Sequence, residues 1–307
     1  MPVRSPRVAV LLAAYNGMKW IEEQLDSILN QSGVDVAVYI SVDRSTDGTQ
    51  AWCAAYAVDH PCVTLLPEAG KFGGASRNFF RLMRDVEFEP YDFVAFADQD
   101  DVWHVEKLQR AIAAIQSLQV EAYSSNVTAF WPDGKTSLLD KAQPQVAWDF
   151  LFEAAGPGCT YVFNKQFSQT LKKSMINHWQ ELQKVSLHDW YFYAYARSHG
   201  FRWHIDPQPT MEYRQHENNQ VGANTGLSSL VSRYKTIHDG WWFAQVRMIT
   251  LLVGQGDDPF VKSWLQLRRR QLMKLSFSAW KCRRRVRDKI FFFCICWATA
   301  LLGNKHS

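Results

Sequence analysis

The sequence predicts an α/β fold, an αβα sandwich whose central sheet is mainly parallel. Two observations carry this prediction. Continuous apolar runs such as Arg7–Ala14 (RVAVLLAA) lack the polar alternation of a half-exposed strand, which is typical of strands covered on both faces. Segments with helical spacing of apolar residues separate these runs, and this alternation over the first 120 residues indicates βαβ units.

The elements of the first half follow in order. Residues 18–30 place Ile21, Leu25, Ile28 and Leu29 on one helical face. Two glycines at 73 and 74 precede the helix predicted over 77–84. The remaining segments are predicted strands at 36–42, 62–66 and 92–97 and a predicted helix at 105–118.

The second half is less regular. A glycine loop enters a strand over 156–163, a helix spans 187–197, a short strand spans 202–205, and 226–280 is mostly helical. No internal repeat or low-complexity linker divides the chain. We therefore predict one domain over 1–225, with halves at about 1–120 and about 121–225, and a helical C-terminal extension over 226–307.

The composition is that of a globular enzyme, with 47% hydrophobic and 21% charged residues. A net charge of +4 suits acidic substrates or an anionic membrane surface and is too small to indicate nucleic-acid binding. The six cysteines lack zinc-ligand or disulfide-framework spacing, which favours free thiols in a reducing compartment. The N-terminus lacks the pattern of a signal peptide, so we expect a cytoplasmic protein.

Three carboxylates, those of Asp98, Asp100 and Asp101, follow the predicted strand 92–97. Ligands of open α/β sheets bind at the carboxyl ends of strands. Clustered carboxylates repel one another unless a cation offsets them, and Mg²⁺ or Mn²⁺ bridged to phosphate is the natural partner. The alternative is a solvated acidic turn in which Asp101 caps the next helix.

Asp43 follows the predicted strand 36–42, at the start of the segment 43–49 (DRSTDGT). A carboxylate there can accept hydrogen bonds from a base N–H or a ribose hydroxyl. An N-cap with an Asx turn explains Thr46 or Asp47 equally well.

The glycines at 73 and 74 stand before a helix that carries Arg77 in its first turn. Backbone N–H groups and a guanidinium in this position suit a diphosphate. The segment matches neither a Walker loop nor a dinucleotide fingerprint, and simple turn chemistry is the alternative.

Together these segments resemble the family 2 glycosyltransferases. The resemblance is closest to the rhamnosyltransferase-like branch that builds O-antigens and other bacterial surface polysaccharides, and it covers roughly residues 7–224. Its motifs occur in the family's order: 13–17 (AAYNG), 28–31 (ILNQ), 43–49 (DRSTDGT), 97–103 (ADQDDVW), 158–164 (GCTYVFN), 188–190 (HDW) and 213–223 (YRQHENNQVGA).

The resemblance implies a GT-A fold, a nucleotide diphosphate sugar donor, a divalent ion and inversion at the anomeric carbon. It assigns the first half of the domain to the nucleotide sugar and the second half to the acceptor. The implied donor-binding residues are Ala13, Tyr15, Asp43, Arg77, Asp98 and Arg214, and the implied metal ligands are Asp98, Asp100 and His216. One departure stands at Val42, where members often carry a second acid, so Asp43 acts alone there.

Asp189 is the implied general base, and Asp101 and Trp190 are the implied acceptor-binding residues. Inversion is a single displacement, so one carboxylate must take the proton of the acceptor hydroxyl. His188 could orient Asp189, and Trp190 could offer a face for sugar stacking. The alternative for Asp189 is a helix N-terminal carboxylate stabilised by the macrodipole.

A basic segment over 281–289 precedes the apolar run 290–302 (IFFFCICWATALL). This run is shorter than the roughly 20 residues that span a bilayer. We expect peripheral attachment to the inner face of the cytoplasmic membrane, where a polyprenyl-diphosphate-linked acceptor would reside. The alternatives are a terminal helix packed on residues 241–243 and a dimer contact.

The expected reaction is transfer of a sugar, best L-rhamnose from dTDP-rhamnose, onto a hydroxyl of a lipid-linked surface glycan. The alternatives are a UDP-hexose or UDP-N-acetylhexosamine transferase of the same family and a non-catalytic nucleotide-sugar-binding assembly protein. A two-metal nucleotidyl transferase or phosphohydrolase would need a second carboxylate set, which the sequence does not offer.

Overall fold

The computed structural model describes residues 4–216 and 240–302. Its strands are β1 Arg7–Ala14, β2 Asp35–Val42, β3 Val63–Leu65, β4 Phe93–Ala97, β5 Val102–Trp103, β6 Ala122–Ser125, β7 Val127–Phe130, β8 Thr136–Leu139, β9 Val162–Asn164, β10 Trp203–Asp206 and β11 Met211–Arg214. Its helices are α1 Ile21–Leu29, α2 Thr49–Asp59, α3 Ala75–Asp85, α4 Lys107–Ser117, α5 Lys165–Asn177, α6 Trp179–Leu182, α7 His188–Ser198, α8 Trp241–Leu252, α9 Pro259–Lys262, α10 Arg269–Ser276, α11 Ala279–Cys282 and α12 Val286–Leu302.

The central sheet has seven strands in the order β10-β6-β9-β4-β1-β2-β3. Strand β1 pairs in parallel with β2 and β4, β2 with β3, and β10 with β6. Strand β9 runs antiparallel to both of its neighbours, β4 and β6. The predicted α/β fold with a mainly parallel sheet is confirmed, and β9 makes the sheet mixed.

Strand β1 explains why an unbroken apolar run marks the centre of the sheet. Ala9, Leu11 and Ala13 pack into one core cluster, whereas Val8, Val10, Leu12 and Ala14 pack into a second one. Successive side chains of a strand point to opposite faces, so both faces of β1 are covered. The two clusters are the two halves of the sandwich.

A second, four-stranded sheet has the order β5-β11-β7-β8. The short strand β5 begins directly after residues 98–101, which we call the acidic loop. Strand β11 pairs antiparallel with β5. This pairing returns the chain to the acidic loop and carries Arg214 and His216 there. This sheet was not predicted, because its strands are only two to four residues long.

The described part of the C-terminal extension packs on the same core cluster as the first domain. Phe243, Trp264 and Phe292 belong to that cluster. The ring of Phe292 lies 5.1 Å from that of Phe152 and 6.0 Å from that of Trp242. The inner face of α12 therefore packs on residues 241–243, as one alternative anticipated. The boundary at 225 lies outside the described residues.

A buried charge network joins the extension to the domain. The Asp149 carboxylate, fully buried, accepts hydrogen bonds from Arg284 Nη1 at 3.1 Å, Arg197 Nη1 at 3.2 Å and the Tyr193 hydroxyl at 2.8 Å. Arg284 Nη2 also donates to the Ala154 carbonyl at 2.7 Å. Arg284, part of the basic segment that we expected to face lipid, is thus an internal anchor.

Replacing Arg284 with methionine is expected to lower the free energy of unfolding by about 3–5 kcal/mol, because it leaves the buried Asp149 charge without its strongest partner. Urea denaturation measures this loss. The matched control is Arg287→Met, since the Arg287 side chain is 63% exposed and forms an ion pair with its neighbour Asp288. Equal losses for the two variants would contradict the structural importance of the buried pair.

Candidate active site

The ends of β1, β2 and β4 meet at one edge of the sheet, because these strands are parallel and adjacent. Three loops leave the sheet there, at 15–20, 43–48 and 98–101. They carry the first, third and fourth of the predicted motifs. The fold therefore brings these motifs together at the edge where open α/β sheets bind ligands.

Side chains from two other loops hold the loop after β1. Four consecutive backbone N–H groups, those of residues 15–18, donate to Gln99 Oε1 (2.7 Å), Ser45 Oγ (2.9 Å), Thr49 Oγ1 (2.8 Å) and Asp47 Oδ2 (3.1 Å), respectively. The segment 43–49 therefore serves largely as a scaffold for this loop. Ala13 is buried beneath the loop, whereas the Tyr15 side chain is 56% exposed and faces outward.

The Asp43 carboxylate, also buried, organises the loop before α3 that contains Gly73 and Gly74, called the glycine loop below. It accepts hydrogen bonds from the backbone N–H groups of Arg44 at 2.7 Å, Phe72 at 2.8 Å and Gly73 at 2.7 Å. Gly73 has a φ of 76°, a left-handed conformation that favours glycine. Contact between Asp43 and a base or ribose stays a prediction.

Arg77 lies in the first turn of α3, beside the glycine loop. Its Nε donates to the Gln183 carbonyl at 2.9 Å, and its Nη1 donates to the Phe72 carbonyl at 3.1 Å. These bonds tie the loop to the segment before α7. The contact of Arg77 with a diphosphate stays a prediction. It would use the guanidinium N–H groups that do not take part in these two hydrogen bonds.

Two of the three carboxyl groups of the acidic loop, those of Asp98 and Asp101, have raised pKa values. Removal from water and the nearby Asp100 charge raise the pKa of Asp98 to about 7. The same two causes raise the pKa of Asp101 well above its usual range. Asp101 is 1% exposed and accepts a hydrogen bond from the Arg214 backbone N–H at 3.1 Å. This burial beneath β11 does not favour the acceptor contact predicted for Asp101.

Strand β11 and the residues directly after it supply two side chains to the acidic loop. Arg214 Nε donates to the Asp100 carbonyl at 2.8 Å, and its Nη2 pairs with Glu23 at 2.5 Å. His216 Nε2 lies 2.5 Å from Asp100 Oδ2, and its ring stacks on Trp20 with 4.2 Å between centroids. His216 and Asp100 thus contact each other directly, and their binding to one ion stays a prediction. The rest of that motif, 217–223, lies outside the described residues.

The residues present fit a divalent cation. Asp98, Asp101 and Cys159 offer ligand atoms that lie within 4.8 Å of one another. Burial raises the pKa of the Cys159 thiol well above its usual range, so this sulfur stays protonated, and hard cations prefer oxygen ligands. Asp98 and Asp100, both partly exposed, and His216, which contacts Asp100, carry oxygen and nitrogen donors that suit Mg²⁺ or Mn²⁺, and their use as the ligand set stays a prediction.

Asp189 lies in the first turn of α7, close enough to Asp98 for its charge to raise the pKa of that carboxyl group. Burial raises the pKa of Asp189 itself to about 6, against opposing effects of the Trp190 backbone N–H and the Lys141 ammonium. The fold thus unites Asp189, from the second half of the domain, with the acidic loop of the first half. A carboxylate with this pKa is ionised at pH 7 and can accept a proton.

The two neighbours of Asp189 do not take the roles predicted for them. Trp190 is buried, and its Nε1 donates to the Phe150 carbonyl at 3.1 Å, so its face is not available to a sugar. His188 stacks on Phe79 at 4.1 Å, and burial lowers its pKa to about 3. Its Nε2 has no hydrogen-bond partner among the described residues, so His188 does not orient Asp189. Both rings face inward because α7 packs on the core on most of its circumference.

Two further residues of the site, Gln99 and Lys141, were not predicted from the sequence. Gln99 reaches the loop after β1 with its side chain, and Lys141 lies against Gly156 and interacts with Asp189. The place of Gln99 between Asp98 and Asp100 is the sequence signal that could have marked it as a site residue. No local signal marks Lys141, because it follows β8 and reaches the site only through tertiary packing.

The pKa of Asp189 predicts the acid side of the pH–rate profile. Since the carboxylate form predominates above pH 6, kcat should fall about tenfold per pH unit below it. Replacing Lys141 with glutamine removes a charge that lowers this pKa, so the acid side should move to higher pH. The profile is measured at saturating Mn²⁺, with Lys135→Gln on the exposed β7–β8 turn as control. If the pH–rate profile of Lys141→Gln coincides with that of Lys135→Gln, the interaction between Lys141 and Asp189 is contradicted.

The fold and site define a class, a GT-A enzyme with an acidic loop at the strand ends. The family model described as glycosyltransferase like family 2 matches residues 6–225, and the chain belongs to that family. It is therefore a glycosyltransferase. A relative, the dTDP-rhamnosyl transferase RfbG of Shigella flexneri, is 44% identical over 281 residues, which cover 91% of this chain and 96% of the relative.

Solved structures show the same fold at low sequence identity. TarS 1-349 of S. aureus matches with a TM-score of 0.57 and 14% identity, over 98% of this chain and 93% of that one. The mannosyltransferase PcManGT of Pyrobaculum calidifontis, in complex with GDP-Man and Mn²⁺, matches with a TM-score of 0.51 and 15% identity, over 98% and 88%. The predicted GT-A fold is thereby confirmed.

Proposed function

We propose that this enzyme transfers L-rhamnose from dTDP-rhamnose to a hydroxyl of a growing surface glycan, with inversion at the anomeric carbon. The observation that carries the reaction type is that Asp189 and the acidic loop meet at residues 158–159. A Cβ on Gly158 would lie 3.3 Å from the Asp189 Cβ, and the ligand atoms of Cys159 and Asp98 lie within 4.8 Å of each other. The donor rests on the relative named a dTDP-rhamnosyl transferase, which is matched over 96% of its length.

Asp98, Asp100 and His216 would hold Mg²⁺ or Mn²⁺. When bound, the ion supplies positive charge to the diphosphate and so makes it a better leaving group. Two features support these ligands, the 2.5 Å approach of His216 Nε2 to Asp100 Oδ2 and the partial exposure of all three side chains. The Trp20 ring, stacked on His216, keeps the imidazole over the acidic loop.

The donor nucleotide would lie across the ends of β1 and β2. Tyr15 presents an exposed ring for the base, above Ala13. Asp43 holds the glycine loop whose N–H groups and Arg77 would face the diphosphate. Arg214 ties β11 to the acidic loop through the Asp100 carbonyl, and it would contact the donor from there.

Asp189 would act as the general base. It takes the proton from the acceptor hydroxyl as that oxygen bonds to the anomeric carbon, while the bond from that carbon to the diphosphate oxygen breaks and its electron pair leaves with the nucleotide. The pKa of about 6 leaves Asp189 ionised at neutral pH, yet more basic than an ordinary aspartate. Tyr161, whose hydroxyl donates to the Asp189 carbonyl at 3.4 Å, helps hold the base in place.

A UDP-sugar donor is the second candidate. Another relative, the UDP-Glc:alpha-D-GlcNAc-diphosphoundecaprenol beta-1,3-glucosyltransferase WfgD of Escherichia coli, is 23% identical over 157 residues and 58% of its length. A non-catalytic binding protein is disfavoured, because Asp100 and Asp189 are both in place and the base carboxyl has a raised pKa. The shorter match makes the UDP donor the weaker proposal.

A thermal-shift screen of nucleotide sugars with and without Mn²⁺ tests the donor. A ligand at 100 times its Kd stabilises the native state by about 2.7 kcal/mol. We expect the largest rise in Tm with dTDP-rhamnose and Mn²⁺ together, and a smaller one with UDP-glucose or UDP-N-acetylglucosamine. A larger response to a UDP-sugar would favour the second candidate, and no response to any nucleotide would overturn the proposal.

The acceptor would be a polyprenyl-diphosphate-linked glycan, reached by peripheral attachment to the inner face of the cytoplasmic membrane. Within residues 4–216 and 240–302, no helix combines the length and hydropathy needed to cross a bilayer. The outer face of α12 is nevertheless apolar. Its exposed members are Val286, Ile290, Phe293 and Leu301, and exposed Phe277 and Trp280 lie nearby.

The positive charge around the outer face of α12 favours an anionic lipid surface, and not a second copy of this chain, as the partner of that face. Residues 259–302 contain eleven Lys and Arg but one acid, Asp288, which is buried. Two such faces would repel each other, whereas each basic residue near an anionic bilayer contributes about 1 kcal/mol. Arg283 and Arg284 pair internally, so exposed residues such as Lys274, Lys281 and Arg287 would carry this contact.

Cosedimentation with vesicles tests the attachment. We expect the protein to pellet with phosphatidylglycerol vesicles and to stay in solution with phosphatidylcholine vesicles. Ile290→Ser combined with Phe293→Ser should reduce pelleting severalfold, while Val58→Ser, at an exposed apolar site on α2, should not. Equal pelleting of wild type and both variants, or a lipid-independent dimer through this face, would overturn membrane docking.

A further inference from the structure

The side chain of Gln99 extends the pairing of β1 with β4 beyond the end of both strands. The strands pair in register up to Leu12 and Ala97. Further on, Gln99 Nε2 donates to the Tyr15 carbonyl at 2.8 Å, and Gln99 Oε1 accepts from the Tyr15 N–H at 2.7 Å. The side-chain amide thus pairs with the Tyr15 backbone as a neighbouring strand would.

Gly17 leaves the space that this pairing needs. A Cβ on Gly17 would lie 2.4 Å from Gln99 Oε1 and 2.9 Å from its Cδ, closer than two such atoms can approach. Gly17 is outside the left-handed region of backbone conformation, so an alanine there meets no backbone strain. The glycine is therefore required by the position of the Gln99 amide.

Gln99 differs from the other side chains that hold this loop. Ser45, Asp47 and Thr49 all come from the segment after β2. Gln99 alone among these four stands between Asp98 and Asp100, the residues proposed to hold the cation. Any movement of the acidic loop is therefore transmitted to the Tyr15 backbone.

We propose that Gln99 is a positioning residue that couples the loop after β1 to the acidic loop. It would hold the two loops in one relative position, in which the first binds the nucleotide base and the second binds the cation. This inference rests on the proposed nucleotide-sugar donor. Both bonds require an amide, because leucine makes neither and a glutamate carboxylate cannot donate. Loss of two ordinary hydrogen bonds corresponds to a change of about ten- to thirtyfold in an equilibrium constant.

A double-mutant cycle tests the coupling. The dissociation constant of dTDP with Mn²⁺ (UDP, if the wild type prefers it) is measured by calorimetry for Gly17→Ala, Gln99→Ala and the double variant. Each single change should weaken binding about tenfold. The double variant should bind no worse than Gln99→Ala, because the new Cβ then occupies vacated space. Gln109→Ala is the control, since Gln109 likewise packs against a glycine, Gly33, away from the site.

Two further readouts separate positioning from general destabilisation. Amide hydrogen exchange of residues 13–18, measured without nucleotide, should speed up in Gln99→Ala while the core strands keep their protection. The KM for the donor should rise with little change in kcat at saturating donor, since Gln99 touches no reacting atom.

The outcomes distinguish the inference from the proposed function. If the wild type binds nucleotide and the two single effects simply add, or Gln99→Ala binds as tightly as wild type, the coupling is refuted and the proposed function stands. If the wild type binds no nucleotide, the proposed function fails and the role of Gln99 in donor binding fails with it, whatever the exchange data show about the contact itself.

Discussion

Replacing Asp189 with asparagine is expected to lower kcat by about 10²–10⁴-fold, the usual contribution of a general base. The amide keeps the size of the carboxyl group and its place at the start of α7, but it cannot take the proton of the acceptor hydroxyl. The measurement is transfer under saturating donor and acceptor. The Kd for the donor nucleotide should stay within a few-fold of wild type, because the base acts on the acceptor.

Asp133→Asn is the matched control for this change. Asp133 lies in the exposed turn between β7 and β8, where it accepts a hydrogen bond from the Lys135 N–H at 3.1 Å. The Asp133→Asn substitution should leave both kcat and nucleotide binding unchanged. Full transfer activity in Asp189→Asn would show that another group removes the proton, and loss of folding would be visible in the melting temperature.

The second large effect is expected at Asp100. Replacing it with asparagine removes the carboxylate that meets His216 and should lower kcat/KM by about 10²-fold or more, because the charge that stabilises the leaving diphosphate is then poorly held. The Mn²⁺ concentration for half-maximal activity should rise as well. His216→Ala should act in the same direction more weakly, since the two acids remain.

Titration of activity with Mn²⁺ and with Mg²⁺ measures this effect. Asp257→Asn, which removes an equal charge at an exposed site paired with Lys262, is the control and should follow wild type. If Asp100→Asn keeps the wild-type metal dependence, Asp100 is not a ligand. In that case the group formed by Asp98, Asp101 and Cys159 would become the next candidate.

The strands that carry the site could be predicted from sequence, because their signal is local. Strand β1 was predicted with its observed bounds, and the strands now seen at Asp35–Val42 and Phe93–Ala97 were predicted to within one residue. A strand buried on both faces must be apolar at every position, and a short run of residues suffices to reveal it. The order of polar motifs after these strands then indicated a glycosyltransferase, which the family match confirms.

The roles of individual polar residues needed the tertiary structure. Asp43 and Asp101 were predicted to contact the donor and the acceptor, respectively, yet each accepts a hydrogen bond from a backbone N–H group of another segment. Trp190 looked suited to a sugar and is instead buried. A carboxylate or an indole has the same sequence signature whether its partner is a substrate or a distant main-chain group.

Sequence by itself thus determined the doubly covered sheet, the family and the edge at which the donor should bind. The three-dimensional packing alone decided that β9 enters the sheet antiparallel, that β11 returns His216 to Asp100, and that Arg284 anchors the C-terminal helices on Asp149. The reason is physical. Periodicity and apolar runs report the burial of a segment, whereas strand pairing and buried ion pairs join residues up to 135 positions apart and leave no local pattern.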